Sequence, residues 1–269
     1  MNGDYSFHPK FIINHRKKIS NSRNEPECEP IDILYQIVLN ERKKKENNNS
    51  NINQAYLNIR VYGIEKIKYL CNNFELDEKI FHSSIYLMDF LYIQKEISDD
   101  IIKISFCCFI LCLKFYENGI KTQHIMKKIF NNEEEKKIYV FLEQKILFLI
   151  EYNMCFWTTY DILSFLLENG ITFSYEKDFL LKNNINVKQL NLNCFLQLNK
   201  LVEKKFFLKF KPIDLAFSII FLIREKYVLD DLILLFEEIY GIQINKKCLE
   251  FLKTKIKFKN VIMKKNNFD

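Results

Sequence analysis

Four charged side chains interrupt apolar stretches of this 269-residue chain: Arg60, Asp89, Lys114 and Glu143. A charge taken out of water alone is costly, so each must meet an opposite charge or reach solvent. Asp89 lies in Tyr86-Leu87-Met88-Asp89-Phe90-Leu91, and Lys114 in Cys112-Leu113-Lys114-Phe115-Tyr116-Glu117. Glu143 lies in Leu142-Glu143-Gln144-Lys145-Ile146-Leu147, and Arg60 in Ile59-Arg60-Val61. Arg60 and Asp89 are placed to pair across a helical bundle. Lys114, at the end of an apolar helix, can snorkel to the surface or meet an acid.

The remaining reactive residue types form no site. Eight cysteines (Cys28, Cys71, Cys107, Cys108, Cys112, Cys155, Cys194 and Cys248) include no C-x-x-C pair and no zinc spacing. Cys107, Cys108 and Cys112 sit in an apolar run, where thiols act as small core residues. His8, His15, His82 and His124 are scattered. There is no Ser/His/Asp set, no Gly-rich phosphate loop and no metal motif, so no enzyme, metal or cofactor is expected. The net charge of +6 comes from 40 basic against 34 acidic residues, interleaved, which reads as a solvated surface and not a nucleic-acid site. The longest strictly apolar run, 106–113, is too short for a bilayer, and residues 1–10 are polar. A reduced, soluble intracellular protein, nuclear or cytoplasmic, is the expectation.

Positioning these charges falls to helices. With 48% hydrophobic residues the chain can bury a sizeable core, and only 5 Gly and 4 Pro favour helix over a turn-rich β fold. The abundant Ile, Phe, Tyr and Asn look like AT-rich coding. Residues 1–30 read as a flexible segment, 31–53 as a short helix followed by a Lys/Asn linker. Helical periodicity then predicts helices over 54–71, 77–92 (capped by Asp77), 98–116 (capped by Ser98, ended by Gly119), 122–130 and 133–150. The third is apolar on nearly every side and belongs at the centre of a bundle. A break at 155–159, with Thr158 or Thr159 as cap, precedes helices over 211–227, 229–240 and 245–258, and a basic tail, 259–269. Ile219 to Arg224 match Phe109 to Lys114 at an offset of 110 residues, and Phe251-Leu252 match Phe141-Leu142 at the same offset, which suggests a duplicated unit. The fold class is therefore all-α: two tandem five-helix bundles, 54–155 and 156–258, after a short N-terminal helix.

The segments quoted above resemble a cyclin box, in particular that of A- and B-type cell-cycle cyclins. Arg60 stands early in the first helix as the family's arginine does. Tyr86 to Leu91 is similar to the family's second-helix segment, Cys112 to Glu117 to the end of its third, and Leu142 to Leu147 to its fifth. Cys155-Phe156-Trp157-Thr158-Thr159 stands at the entry to the second box. The resemblance implies a non-catalytic subunit that binds and activates a cyclin-dependent protein kinase. It implies an internal Arg60–Asp89 salt bridge, and a kinase-binding face of Lys114, Glu143, Leu111, Phe115, Leu147, Tyr152 and Met154. Leu111 and Leu147 fit core packing equally well.

The match has departures. Phe90 follows Asp89 where the family has Arg, and Tyr116 replaces an acid. Ile59, Gly63 and Lys66 occupy a substrate-docking patch that is apolar in many members, so that docking function is not expected. Lys45-Glu46-Asn47 is a KEN tripeptide, which would recruit ubiquitin-ligase machinery. His15-Arg16-Lys17-Lys18 and Arg42-Lys43-Lys44-Lys45 would suit nuclear import but read more readily as solvated charge. The alternative functions are a transcription-type cyclin, or a cyclin-fold nucleic-acid-binding or adaptor protein without a kinase.

Overall fold

The computed structural model describes residues 52–95, 97–130, 132–169, 172, 176–229, 233, 236–237 and 243–256, together with residue 36. The KEN tripeptide, both basic pieces and the tail 259–269 lie outside the described residues, as do the expected N-terminal helix apart from Gln36 and most of the one over 229–240. The described residues form helices and no strand, an all-α fold. The chain divides into two compact units, one holding 47–161 with 203–205, the other the rest.

In the first unit α1 spans Gln54–Asn73, α2 Glu78–Gln94, α3 Ile101–Tyr116, α4 Gly119–Ile129 and α5 Glu133–Leu149. Asn53 caps α1, its Oδ1 accepting from the Ala55 amide at 2.8 Å, and Asp77 caps α2 through the Lys79 amide at 2.6 Å. The helix α1 buries Tyr56, Arg60, Gly63, Ile64, Ile67 and Leu70, one stripe at helical spacing. All ten residues from Ile104 to Leu113 in α3 are buried, and α3 touches α1, α2, α4 and α5. A helix with no polar face has to sit in the middle, and this one does.

Two boundaries differ from the expectation. Asp100, not Ser98, caps α3: its carboxylate accepts from the Ile102 and Lys103 amides at 2.9 and 3.0 Å. A carboxylate is the stronger acceptor at the positive end of a helix dipole. Asp99 is left to pair with Lys145 at 2.7 Å. Gly119 does not end α3; it opens α4, and Asn118 caps that helix through the Lys121 amide at 2.8 Å. Glu117, the residue just past α3, is already in extended backbone, which stops the helix and needs no glycine.

Gly63 has a different task from filling a surface patch. It is buried, and a Cβ built on it would fall 2.5 Å from Met88 Sδ and 3.1 Å from Ile101 Cγ1. The missing side chain lets α1 approach α2 and the start of α3. Gly63→Ala is expected to lower stability by about 1–3 kcal/mol through overpacking. Helix propensity would by itself favour alanine. A urea midpoint equal to or above that of the native chain would contradict this packing.

The helix α6, Thr159–Glu168, begins in the first unit and continues into the second, which holds α7 Lys177–Lys182, α8 Val187–Val202, α9 Pro212–Lys226 and α10 Lys246–Lys255; a 3-10 turn spans Lys205–Lys209. Thr158 caps α6: its Oγ1 accepts from the Asp161 amide at 3.1 Å, while Asp161 Oδ2 accepts from the Thr158 amide at 3.0 Å. The 110-residue offset extends to whole elements. Moved by 110, α2 falls on α8 and α3 on α9 to within two residues at either end, and α5 spans α10. The buried positions move with them: Ile80, Ser84, Met88 and Leu91 become Leu190, Cys194, Leu198 and Leu201, all buried. Within their own units α3 packs on α2 and α5, and α9 on α8 and α10.

Candidate functional site

The four isolated charges resolve into two pairs of opposite character. Arg60 and Asp89 meet at the α1–α2 contact in a two-pronged bridge, Nε to Oδ1 at 2.7 Å and Nη2 to Oδ2 at 2.8 Å. Both are buried. Tyr56, one turn before Arg60, donates its hydroxyl to the same Asp89 oxygen, and its ring stacks on Tyr92 at 4.5 Å. Burial, and then the Asp89 charge, hold the Tyr56 phenol well above its usual range. Burial opposes the Arg60 charge, but Asp89 outweighs it and keeps the guanidinium ionised. A bidentate fork on a carboxylate that also receives a phenol is a satisfied buried network, closed to partners.

Lys114 and Glu143 form the second pair. Lys114 Nζ lies 2.5 Å from Glu143 Oε2, joining the end of α3 to the middle of α5. The pair straddles the surface: the Glu143 side chain is 9% exposed, that of Lys114 41%. The carboxylate is held from below, while the ammonium keeps donors facing water. Apolar groups flank it. Phe115 is 50% exposed, Leu147 half-buried and Tyr152, just past α5, 70% exposed. Val140 lies three residues before Glu143 and Leu147 four after it, so the three share one side of α5. Val140 is exposed, a member of this face that sequence reasoning missed. Its spacing from Glu143 and Leu147 was the available signal.

Met154, expected on this face, is not on it, and Leu111 takes the core packing that fitted it equally well. Leu111 and Met154 are each only 6% exposed. Leu111 belongs to the fully apolar stretch of α3, which the bundle surrounds, so its side chain packs inward. Met154 follows the exposed Tyr152 and turns inward in its place. The nearby Cys107 thiol is pushed up to about 12 by burial and then by the Glu143 charge, so no thiolate competes for Lys114 at neutral pH.

The second unit handles the matching positions differently. Arg224, 110 residues after Lys114, is buried and clasped by Glu176 at 2.5 and 3.1 Å. Lys253, 110 residues after Glu143, pairs with Glu225 at 3.1 Å. With an arginine turned into an internal lock and a lysine in place of the acid, positions 224 and 253 each take another partner and do not repeat the Lys114–Glu143 pairing. The Arg224–Glu176 lock was not foreseen. Glu176 lies in the stretch where periodicity is weakest.

Among the described residues no group of three or more His, Cys, Asp or Glu side chains is arranged to hold a metal ion. No helix among them is long and apolar enough to cross a membrane.

The fold has a counterpart among solved structures. The X-ray structure of a viral cyclin from herpesvirus saimiri matches with a TM-score of 0.58 at 16% identity. The match covers 83% of this chain and 96% of the viral one. At that identity the likeness shows the fold, and the fold is that of a cyclin. No family model matches the sequence, and no curated protein matches it.

Proposed function

We propose that this chain is a non-catalytic regulatory subunit that binds and activates a cyclin-dependent protein kinase. The observation that carries the reading is the Lys114–Glu143 pair. It joins two helices and lies at the surface, with Phe115 next to Lys114, Val140 and Leu147 on the Glu143 side of α5, and exposed Tyr152 just past that helix. Such a patch offers charge-assisted hydrogen bonds to a backbone segment and apolar area around them. A protein kinase is active only when its αC helix is swung in to complete a Lys–Glu pair. A subunit that grips αC in that position binds the active conformation better and shifts the population towards it. A cell-cycle role, action in nucleus or cytoplasm, and turnover through Lys45-Glu46-Asn47 by ubiquitin-ligase machinery accompany this reading.

The test mixes the purified chain with the cyclin-dependent kinase catalytic subunits of its own cell. Binding is followed by titration and phosphoryl transfer on a peptide. One catalytic subunit is expected to bind and to gain activity by at least about tenfold, within the usual range of allosteric coupling. The Lys114→Ala/Glu143→Ala double variant is expected to bind at least about 100-fold more weakly, because both central contacts are lost. Failure of the native chain to bind any of these kinases, or full binding by the double variant, would overturn the assignment.

A further inference from the structure

The helix α5 has three different sides. One is the buried stripe of Leu142, Glu143 and Ile146. A second carries Val140 and Leu147, on the Glu143 side. The third is apolar and faces water: Ile138 is 61% exposed, Phe141 72% and Phe148 74%, with the exposed Lys145 among them. At about 100° per residue these four share one strip, about a third of a turn from the buried stripe and from the Val140–Leu147 side alike. Single exposed apolar residues are ordinary, but three on one strip form a patch, and such patches mark contact surfaces.

Their spacing says what covers them. The steps from Ile138 to Phe141, Lys145 and Phe148 are three, four and three residues. That is the seam by which one helix packs along another, its side chains entering holes on the facing helix. The seam also reads the same in reverse. Turned about the level of Glu143, Ile138 changes places with Phe148, and Phe141 with Lys145. Two copies of α5 laid antiparallel therefore set Ile138 on Phe148 and Lys145 over Phe141, apolar against apolar and cation against ring. The Asp99 carboxylate, 2.7 Å from the Lys145 ammonium, balances the two lysines that come near the axis. A lone lysine in an apolar seam fixes register and oligomer state.

We propose that this seam is a self-association surface, on which two copies of the chain pair α5 against α5 about a two-fold axis level with Glu143. An isologous contact of this kind closes on itself, so assembly stops at the dimer. The four phenylalanines bring on the order of 600 Å2 of apolar surface to the contact. With the isoleucines and the lysine stems the total comes to about 1,000 Å2, the lower end of specific interfaces. The dimer is therefore weak and its population follows protein concentration. The Glu143 side of each α5 points away from the axis, so each copy keeps that side open. Self-association does not depend on whether that side takes a kinase.

Sedimentation equilibrium of the whole chain reads the association. The native chain is expected to dimerise with a Kd of about 1–100 μM. Phe148→Glu sets a carboxylate against Ile138 of the second copy and is expected to weaken the dimer at least about 100-fold. Its unfolding midpoint should stay native, because the ring it removes is exposed. Phe141→Lys opposes like charges at Lys145 of the second copy and is expected to dissociate the dimer as well. Adding Lys145→Phe to it restores the ring and cation in exchanged places, and dimerisation should return to within about tenfold of native. A native chain still monomeric at about 300 μM, or a dimer that survives Phe148→Glu, would overturn the proposal. Absence of rescue in the double variant would overturn the antiparallel pairing. Phe148→Glu is expected to bind the kinase as the native chain does; a loss of that binding would assign the strip to the kinase and not to a second copy. If the native chain binds no kinase, the function proposed above falls, and sedimentation still decides the dimer.

Discussion

Asp89→Ala is expected to remove about 3–5 kcal/mol of folding stability, the scale set by breaking a buried ion pair from one side. The carboxylate is the hub of its network. It receives two prongs from Arg60 and the hydroxyl of Tyr56, and none of the three is open to water. Without it Arg60 is a buried guanidinium with its main partner gone, and guanidinium stays charged at any pH the fold survives. Stabilities of single domains run from about 5 to 15 kcal/mol, so the loss consumes a large part of the total. The chevron of α1 and α2 would open where Gly63 brings them close. Tyr56→Phe removes one hydrogen bond to a charged group and keeps the ring stacked on Tyr92. Its cost is expected at about 1.5–3 kcal/mol. Urea unfolding followed by far-ultraviolet circular dichroism reads both. A midpoint for Asp89→Ala within error of the native value would mean that this network does not hold the helices together.

The architecture was open to sequence reasoning where pattern and physics agree. Nothing but burial on all sides could accommodate 104–113, and that placed α3 at the centre before any coordinates. The offset of 110 rested on a few apolar letters. Two pairs of helices with matching ends, and a third that overlaps, give it more substance, because element boundaries are set by caps and not by composition. Caps were harder. Ser98, Asp99 and Asp100 are all good capping residues in a row, and only the backbone chooses among them.

Exposure was the least legible property. As letters, Phe141, Leu142 and Ile146 of α5 are equally apolar. The structure buries Leu142, Glu143 and Ile146 and leaves Phe141 and Phe148 more than 70% exposed. In a chain this rich in phenylalanine the apolar stripe is wider than the buried one. The same excess hid the inward turn of Met154 and left Leu111 open between core and face. Long-range partners were legible only when both charges stood out. Arg60 and Asp89 did: Arg60 falls on the buried stripe of α1, and Asp89 is the one charge between Ile80 and Ile93. Arg224 stood out too, but Glu176 sits among other charges 48 residues away, and nothing local marks it as the partner.

The Lys114–Glu143 pair is expected to fail differently from its two ends, and that asymmetry separates a gripping surface from a mere strut. Both single variants, Lys114→Ala and Glu143→Ala, are expected to lose kinase affinity by at least about tenfold, since each removes a contact at the centre of the face. Their stabilities should diverge. Glu143 is the buried partner, so Lys114→Ala leaves a carboxylate with little water and no cation, at a cost of about 1–3 kcal/mol. Glu143→Ala leaves a lysine whose head is already half in solvent and can finish hydrating, so its cost should stay below about 1 kcal/mol. A purely structural pair would tie binding loss to stability loss, with Lys114→Ala the worse in both. A gripping pair uncouples them: Glu143→Ala folds almost as well as the native chain and still does not hold the kinase. Titration of a folded Glu143→Ala variant, with unfolding midpoints measured on the same preparations, makes the comparison. Should Glu143→Ala bind as the native chain does while Lys114→Ala loses both binding and stability, the pair is a strut, and the partner is held elsewhere.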